Sequence, residues 1–310
     1  MDTKVRRRFR FSTQAWDRMR CSFCEGGLEE TADGAFCDNC STNYQIGPSG
    51  ALDLRLARPR RVTCAFEVGR ALDTATIDFG PLQETADQSL LHALEGVPWH
   101  FSRELLSFLP RADNPGAIAL DLGCGAGMHR GVCEKLGYDW VGLDYTDAQA
   151  PILGDAHALP FASESFDFIL SMAVLEHLQY PPVAMNEAWR VLKPGGSFVG
   201  TVAFLEPFHG NSYYHHTHLG TLNSLRTAGF EVTHVAPSMT WTVLKAQADM
   251  ALFPKMPGWM MTALITPLHL AHRLWWAIGR LLGKTSDSTS IACRTTGMFA
   301  FVARKPALST

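Results

Sequence analysis

Short apolar runs, separated by turn residues, recur through the middle of the chain. Buried strands are predicted in four of them: GAIALDL (116–122), YDWVGLD (138–144), SFDFILSM (165–172) and LKPGGSFVGTVAF (192–204). Between the first two, MHRGVCEKLG (128–137) predicts a helix that ends at Gly137. Two later runs, GFEVTHVAP (229–237) and GMFAFVARK (297–305), predict two further strands.

The loop DLGCGAG (121–127) joins the first predicted strand to the predicted helix. Glycine adopts positive φ without steric cost and lets the backbone approach a ligand, so Gly123, Gly125 and Gly127 suit a tight strand-to-helix turn. The helix amino terminus beyond the turn offers free N–H groups to an anionic or polar ligand. Ordinary turns also contain such glycine runs, so the loop alone does not establish a ligand site.

An acidic residue ends the second predicted strand. Asp144 lies 23 positions after Asp121, where a carboxylate at a strand's carboxyl end can accept hydrogen bonds from both hydroxyls of a ribose. The alternative is a solvated aspartate with no ligand. Farther along, the segment ILGDAHALPF (152–161) carries Asp155 and precedes the next strand-like run.

In this order the segments resemble the class I S-adenosylmethionine-dependent methyltransferases, in particular the large bacterial branch that carries GDAxxLPF and LKPGG motifs. The resemblance covers residues 100–238 and the final strand near 297–304. It implies an α/β fold whose doubly wound, mostly parallel seven-stranded sheet is of the Rossmann-like methyltransferase type, with the last two strands antiparallel. It also implies S-adenosylmethionine as the cofactor, and it does not specify the acceptor.

The same resemblance assigns cofactor contacts. Glycine-loop residues would approach the methionine part of the cofactor: Asp121, Gly123, Gly125 and Gly127. Asp144 would bind the ribose, Asp155 and Ala156 would border the adenine, and Ser171 and Met172 would line the floor of the site. Only ten residues separate Asp144 from Asp155, too few for a full helix and strand, so a more open adenine side is expected.

The composition bears on the number of domains, the location of the protein and the state of its cysteines. With 310 residues, 46% of them hydrophobic and 18% charged, the chain can bury one large core and carry a small accessory domain. The start, MDTKVRRRFRF, is basic and lacks the apolar stretch of a secretory signal, which predicts a cytoplasmic protein. Thiols stay reduced in that compartment, so the eight cysteines are not expected to form disulfides.

Four of the cysteines form two C-x2-C pairs separated by twelve residues: Cys21, Cys24, Cys37 and Cys40. Such pairs close a tetrahedral thiolate site, which predicts a structural zinc ion with no coordination position left for a substrate. A redox or fortuitous cluster fits the paired spacing less well. This interpretation makes residues 1–54 a zinc ribbon with a basic arm. Residues 55–98 become a linker, with a lid over the cofactor as the alternative, and residues 99–310 the methyltransferase domain.

The charge is distributed unevenly. Residues 1–62 carry a net charge of +3 and the remainder a net charge of −6, whereas a domain that grips a phosphate backbone is usually basic. Nucleic acid is therefore not the expected partner. Ribosomal RNA guanine methylation remains the rival enzyme hypothesis, because some enzymes of that class also place a zinc ribbon before this fold. A non-catalytic regulatory protein that binds the cofactor is the second alternative.

Two segments are expected at the carboxyl ends of the strands, where ligands bind in such sheets. LEHLQY (175–180) contains His177, a candidate for removing a proton from a hydroxyl acceptor, although the segment also suits a plain helix cap. The loop EPFHGNSYYHHTHLG (206–220) contains four histidines within ten positions. We interpret the loop as lining the acceptor pocket, with His215 and His216 as further catalytic candidates, and a metal site as the weaker alternative.

Residues 239–296 separate the last two predicted strands and predict a helical insertion. Read as a helix, its apolar part places one stripe of polar residues among Leu, Ile, Trp and Met: Thr266, His269, Arg273, Arg280 and Lys284. Charges and Pro267 interrupt the run too often for a membrane-spanning helix. Peripheral membrane contact through residues 252–284 is one interpretation; a pocket cover or a dimer seam is the other, and the oligomeric state is open.

These observations predict methyl transfer from S-adenosylmethionine to a small or lipid-linked acceptor, such as a glycan precursor, a quinone or a secondary metabolite. Because the methyl group sits on a strong leaving group, catalysis requires mainly positioning and exclusion of water. A base is needed only if the acceptor is a weak nucleophile such as a hydroxyl group.

Overall fold

The computed structural model describes residues 9–69, 71–85, 97–284 and 287–307. Its amino-terminal part contains helix α1 (Thr13–Arg18) and a three-stranded antiparallel sheet of β1 (Glu29–Thr31), β2 (Gly34–Cys37) and β3 (Thr42–Gln45). The two-residue strand β4 (Leu52–Asp53) follows. The predicted basic arm, at residues 1–8, and much of the segment predicted as linker or lid, at residues 70 and 86–96, lie outside the described residues.

The larger sheet contains the seven predicted strands and β4. The seven are β5 (Ile118–Leu122), β6 (Asp139–Asp144), β7 (Ile152–Leu153), β8 (Phe166–Met172), β9 (Leu192–Ala203), β10 (Glu231–Pro237) and β11 (Met298–Arg304). Their order is β10-β11-β9-β8-β5-β6-β7-β4. Strand β11 is antiparallel to both neighbours and the other pairs are parallel. The predicted doubly wound, mostly parallel α/β fold is confirmed, with β4 as an eighth strand.

Helices cover both faces of this sheet. Along β5, Ile118 and Leu120 face one apolar cluster and Ala119 faces the other, because successive side chains of a strand point to opposite faces. Helices α4 (Pro181–Val191) and α5 (His218–Thr227) pack on the first face. Helices α2 (Arg103–Leu106) and α3 (Arg130–Lys135) pack on the second. The turn after α3 contains Gly137 at φ +93°, in agreement with the predicted helix end.

The amino-terminal region is joined to the edge of the large sheet by backbone hydrogen bonds. Leu52 N–H donates to the carbonyl of Pro151 at 3.1 Å, and Leu54 N–H donates to that of Leu153 at 2.8 Å. The sequence predicted a more open adenine side because the segment between Asp144 and Asp155 is short. Strand β7 is indeed only two residues long. However, β4, which lies in the tail of the ribbon after β3, pairs with the outer edge of β7 and occupies the sheet edge there.

The insertion before the last strand is helical, as predicted. It consists of α6 (Val243–Gln247), a π-helical turn (Ala248–Leu252), α7 (Gly258–Leu281) and α8 (Ser288–Thr295). Met261 is the single buried residue of α7. Across the portions of the chain that are described, every helix is too short or too polar to cross a bilayer.

Candidate active site

A cavity of about 520 Å³ opens at the carboxyl ends of β5, β6 and β8. Five residues that the sequence predicted for the site line it: Gly123, Asp144, Asp155, Ala156 and His177. The glycine turn and the acidic end of β6 therefore face one shared space. A second cavity, of about 540 Å³, lies between Ser102 and Pro237 and contains none of the predicted site residues in its wall.

Gly123 gives the turn its shape. It has φ +74°, and an added Cβ would lie 2.4 Å from Cγ2 of Val174, a residue that also lines the cavity. A side chain at this position would be strained by the positive φ and would collide with the end of β8. The close approach of these two loops is thus possible only with glycine at position 123.

Asp144 is held by backbone N–H groups on two sides. Its Oδ1 accepts hydrogen bonds from Thr146 N–H and Asp147 N–H, each at 2.9 Å, and its Oδ2 accepts one from Gly125 N–H at 3.0 Å. Thr146 Oγ1 also donates to Oδ1, at 3.5 Å, whereas Oδ2 accepts the single bond from Gly125; because each carboxylate oxygen has about two acceptor positions, Oδ2 keeps one for a ligand. Asp144 and the glycine turn are physically linked before any ligand binds.

Asp121 lies beneath the turn and does not line the cavity. The residue is fully buried, its Oδ2 accepts a hydrogen bond from Trp140 Nε1 at 3.1 Å, and its Oδ1 lies 3.3 Å from His129 Nδ1. His129 in turn contacts His100, with 3.3 Å between His129 Nε2 and His100 Nδ1. Asp121 therefore anchors the turn from below, rather than contacting the space in which a cofactor would lie.

Four other predicted cofactor residues also lie outside the cavity wall. Gly125 and Gly127 belong to the same turn, at φ +51° and +84°, but their neighbour Gly123 is the one that borders the space. Ser171 and Met172 are buried within β8, whereas Ala173 and Val174, which follow them, line the cavity. Strand β8 ends at Met172, as predicted, but its last two residues are buried, and the residues that line the cavity are the two that follow the strand.

Asp155 is paired with a neighbouring histidine. His157 Nδ1 lies 2.6 Å from Asp155 Oδ1, and His157 N–H donates to the same oxygen at 2.9 Å. Burial acts to raise the pKa of Asp155, but these bonds outweigh it and hold the pKa below its ordinary value. The Asp155 side chain is therefore ionised and fixed at the wall of the cavity near β7.

His177 ends a 3-10 turn, Leu175–His177, that follows β8. Burial lowers its pKa, the nearby ring of His209 acts in the same direction, and a hydrogen bond to the backbone carbonyl of Asn211 acts against it. The ring centroids of His177 and His209 lie 5.2 Å apart. With a pKa below the ordinary value, His177 is neutral near pH 7 and can accept a proton.

The loop after β9 meets the cavity through residues that the sequence did not single out. Asn211 and Tyr213 line the cavity, whereas His215 is exposed and His216 is buried in the protein. The structure thus does not bring the two predicted catalytic histidines to the site. The only sequence signal for Asn211 and Tyr213 is their membership of the same loop.

Glu176 is the most unusual side chain next to the cavity. It is fully buried, and neither carboxylate oxygen accepts a hydrogen bond of ordinary geometry from the described residues, so the backbone N–H groups near it are poorly aligned. Burial raises the pKa of Glu176 to about 8, and the Glu206 carboxylate acts in the same direction, while the backbone N–H groups of Glu176 and Ala203 offset this only in part.

The four cysteines of the amino-terminal region lie together, at the loop before β1 and the turn after β2. Their sulfur atoms are all within 4.8 Å of one another, and the pairs Cys21–Cys40 and Cys24–Cys37 are each 3.5 Å apart. Four thiolates around one point suit a tetrahedral ion with metal–sulfur distances of about 2.3 Å. Tyr44 Oη lies 3.0 Å from Cys21 Sγ, which closes one side of the cluster.

Comparison with known proteins identifies the fold of the larger unit. Residues 120–200 match the family model described as a methyltransferase domain, Methyltransf_11. The matched range begins in β5 and ends in β9, so it contains the glycine turn, Asp144, Asp155 and His177. The chain contains a class I methyltransferase domain.

Curated relatives of this methyltransferase domain match over part of their length. The chain is 31% identical over 136 residues to a ubiquinone biosynthesis O-methyltransferase of Cereibacter sphaeroides, covering 39% of this chain and 54% of that protein. It is 32% identical over 137 residues to the biotin biosynthesis bifunctional protein BioHC of Cellvibrio japonicus, covering 40% of this chain and 26% of that protein. The chain thus spans about half the length of the first relative and about a quarter of the second.

A solved structure, an S-adenosylmethionine-dependent methyltransferase from Mesorhizobium loti, is 21% identical to this chain, with a TM-score of 0.41. The superposition covers 64% of this chain and 95% of that structure. The family model covers residues 120–200. The cysteine-rich ribbon lies before this range, and the helical insertion lies after it.

Proposed function

We propose that the protein transfers a methyl group from S-adenosylmethionine to a small-molecule acceptor. The observation that carries this proposal is that Gly123, Asp144 and Asp155 border a single cavity at the carboxyl ends of adjacent parallel strands. A ligand with an amino acid at one end and an adenosine at the other can extend from the glycine turn, past Asp144, to Asp155 and Ala156.

The residues present suit that cofactor. Asp144 keeps an acceptor position for a ribose hydroxyl, and Gly123 leaves backbone exposed where the methionine part would lie. When bound, S-adenosylmethionine supplies a methyl group on a positively charged sulfonium. The walls of the cavity then have to hold the acceptor in line with that methyl group and exclude water.

The acceptor side of the cavity is formed by His177, Asn211 and Tyr213. A hydroxyl acceptor has to lose its proton as the new bond forms, and the neutral ring of His177 can take it. Tyr213 and Asn211 offer hydrogen-bond groups that can orient an oxygen atom. His215 and His216, which lie away from the cavity, have no role in this proposal.

Calorimetry with S-adenosylhomocysteine tests the cofactor site. Loss of the Asp144 carboxylate in Asp144→Ala removes hydrogen bonds to a charged group worth about 1.5–3 kcal/mol, so the Kd should rise about 10- to 100-fold. Asp147→Asn is the matched control, because Asp147 follows in the same turn but does not line the cavity. Equal affinity of Asp144→Ala and wild type, with both folded, would contradict the proposal.

The acceptor is expected to be apolar in part. Large side chains on α7 remain exposed, including Trp259, Trp275 and Leu281, and exposed cations lie at its carboxyl-terminal end, including Arg280 and Lys284. An apolar surface next to basic residues suits the interface of an anionic bilayer. Together with the relatives named for ubiquinone biosynthesis, this supports a quinone-type or lipid-linked acceptor that the protein meets at a membrane surface.

The four clustered cysteines are proposed to hold one structural zinc ion. The sulfur positions suit a closed tetrahedral site, and none of the four cysteines lines the methyltransferase cavity. Ribosomal RNA methylation and a purely regulatory role stay alternatives. Incubation with methyl-labelled S-adenosylmethionine separates them: label in a lipid extract supports the proposal, label in RNA supports the first alternative, and binding without transfer supports the second.

A further inference from the structure

Three side chains with metal-binding groups meet beside the proposed active site, and one of them, His177, lines its cavity. Glu176 and His177 come from the 3-10 turn after β8, and His209 comes from the loop after β9. One ligand atom from each residue lies within 4.8 Å of the others. Gly210, at φ +50°, folds this loop back over the turn, and an added Cβ there would lie 3.8 Å from His177 Cε1.

The protein stabilises the carboxylate of Glu176 only weakly, through the backbone N–H groups of Glu176 and Ala203. The side chain is fully buried, and neither oxygen accepts a hydrogen bond of ordinary geometry from the residues that the structure describes. A buried carboxylate that is so weakly stabilised is costly, and buried charges in proteins are typically paired or coordinate a metal. His177 and His209, the side chains with ligand atoms nearest to it, supply two nitrogen ligands.

Backbone groups lie beside the rings of both histidines. The backbone of Asn211 lies close enough to the His177 ring to raise the pKa of His177 in part, and His209 Nδ1 lies 3.2 Å from the carbonyl oxygen of Pro207. A bond from Nδ1–H to that carbonyl would leave Nε2 of His209 available for an ion. Metal-binding histidines typically donate their second N–H to a carbonyl or carboxylate, because that bond fixes the tautomer and the ring orientation.

A second carboxylate supports His209 from outside. Glu206 Oε2 lies 3.8 Å from His209 Nδ1, and Glu206 Oε1 accepts a hydrogen bond from Trp241 Nε1 at 2.7 Å. Glu206 is thus fixed by Trp241 of the insertion and lies near the same His209 nitrogen that is close to the Pro207 carbonyl. The arrangement resembles the outer carboxylates that raise the basicity of metal-bound imidazoles.

We propose that Glu176, His177 and His209 bind a divalent transition-metal cation next to the cavity, behind the wall position of His177. Two imidazoles and one carboxylate suit Zn²⁺, Mn²⁺, Co²⁺ or Fe²⁺ better than Mg²⁺ or Ca²⁺, which prefer oxygen ligands. Zinc ligands lie about 2.0–2.2 Å from the ion, so small side-chain rotations would close the cluster around it. Three protein ligands leave coordination positions open, and an acceptor oxygen would reach the ion from the side on which His177 lines the cavity.

The role of this metal rests on the proposed methyl transfer, whereas its binding does not. A hydroxyl oxygen bound to the ion loses its proton to solvent more readily than a free hydroxyl. The oxygen then forms a bond to the methyl carbon as the sulfur–carbon bond breaks, and the sulfonium becomes a neutral thioether. In the metal-bound protein His177 serves as a ligand, and in the metal-free protein it is the proton acceptor.

Binding of Mn²⁺ to the zinc-loaded full-length protein tests the site. Thiolates favour softer ions, so the cysteine cluster keeps its zinc, and the electron paramagnetic resonance signal of free Mn²⁺ reports the remaining site. We expect one Mn²⁺ per chain and a Kd at least about tenfold higher in Glu176→Gln and His209→Asn. His215→Asn, which changes an exposed histidine of the same loop, should bind as wild type does.

Two results would overturn the metal site: no binding of Mn²⁺, Co²⁺ or a second Zn²⁺ to folded wild type, or unchanged binding in both Glu176→Gln and His209→Asn. Near-UV circular dichroism and the affinity for S-adenosylhomocysteine show whether each variant is folded. Because cofactor affinity is measured separately, failure of the metal site is distinguishable from failure of the proposed methyltransferase activity.

Discussion

The amino-terminal ribbon and the helical insertion differ in how far their apolar side chains are buried. In the ribbon and its tail, Met19, Tyr44 and Leu52 are buried in the same cluster as β7 and the residues that follow it. In the insertion, α7 leaves Trp275 71% and Leu281 88% exposed. One region completes the core of the domain, and the other presents an uncovered surface.

The orientation of α7 makes this contrast stronger. His269 lies on the packed side, with its Nε2 3.2 Å from Thr242 Oγ1, and His272 is likewise half-buried. Leu268 and Leu274 are exposed at 56% and 62%. Arg273 and Arg280 are exposed as well, so α7 leaves apolar and basic side chains uncovered together, and an exposed apolar patch of this kind typically marks a contact surface.

Removal of the proposed zinc should produce the largest effect on stability. Because the ribbon shares the core of the domain, Cys37→Ser or a strong chelator should lower the unfolding temperature of the whole chain in one transition, measured by scanning calorimetry. The free-energy loss should exceed the roughly 2–5 kcal/mol that removal of a native cross-link typically costs. Cys64→Ser is the control. Two separate transitions, or no change, would show that the ribbon is an independent unit.

A leucine-to-alanine substitution should lower the free energy of unfolding by different amounts in the two regions. Leu52 is fully buried between the ribbon and the sheet, so Leu52→Ala should cost about 2–5 kcal/mol. Leu268→Ala, on the exposed side of α7, should change stability by less than about 0.5 kcal/mol. Urea unfolding at one pH measures both. Equal losses in the two variants would mean that α7 is covered in solution.

Substitutions on the outer face of α7 should cause the smallest change in stability and the largest change in membrane binding. Leu274→Glu combined with Leu281→Glu should leave folding and S-adenosylhomocysteine affinity as in wild type, because neither residue is buried or lines the cavity. Flotation with vesicles that contain anionic lipid should fall several-fold, since apolar area and charge attraction both decrease. Unchanged flotation would exclude the membrane interpretation, and sedimentation would then test for a dimer through the same face.

The central fold could be predicted because its motifs are local. The glycine turn, Asp144 and Asp155 each follow a recognisable strand within a few residues, so their positions at one edge of the sheet follow from the parallel order. The side chains that face the cavity could not all be predicted in this way. Strand β8 ends at Met172 as predicted, yet Ser171 and Met172 are buried and Ala173 lines the site, because the path of the loop after the strand determines which residues face the cavity.

Long-range pairings were the second limit. Strand β4 is two residues long and has no periodicity of its own, so its pairing with β7 across the intervening residues left no pattern in the sequence. In the loop after β9 the four histidines look equivalent, and only the folded path separates His209 beside His177 from His215 at the surface. Glu176 looked like part of a helix cap, because burial of its carboxylate depends on the loop packed over it.

Strand β11 lies between β10 and β9, although it is made after both of them. During synthesis, therefore, one edge of β9 and one edge of β10 stay unpaired until the whole insertion has been translated. Open strand edges favour aggregation. The exposed leucines and tryptophans of α7 emerge during that same interval. The nascent chain thus exposes the apolar surface of α7 before its sheet is complete. We therefore expect the protein to depend on chaperones when it is produced in cells.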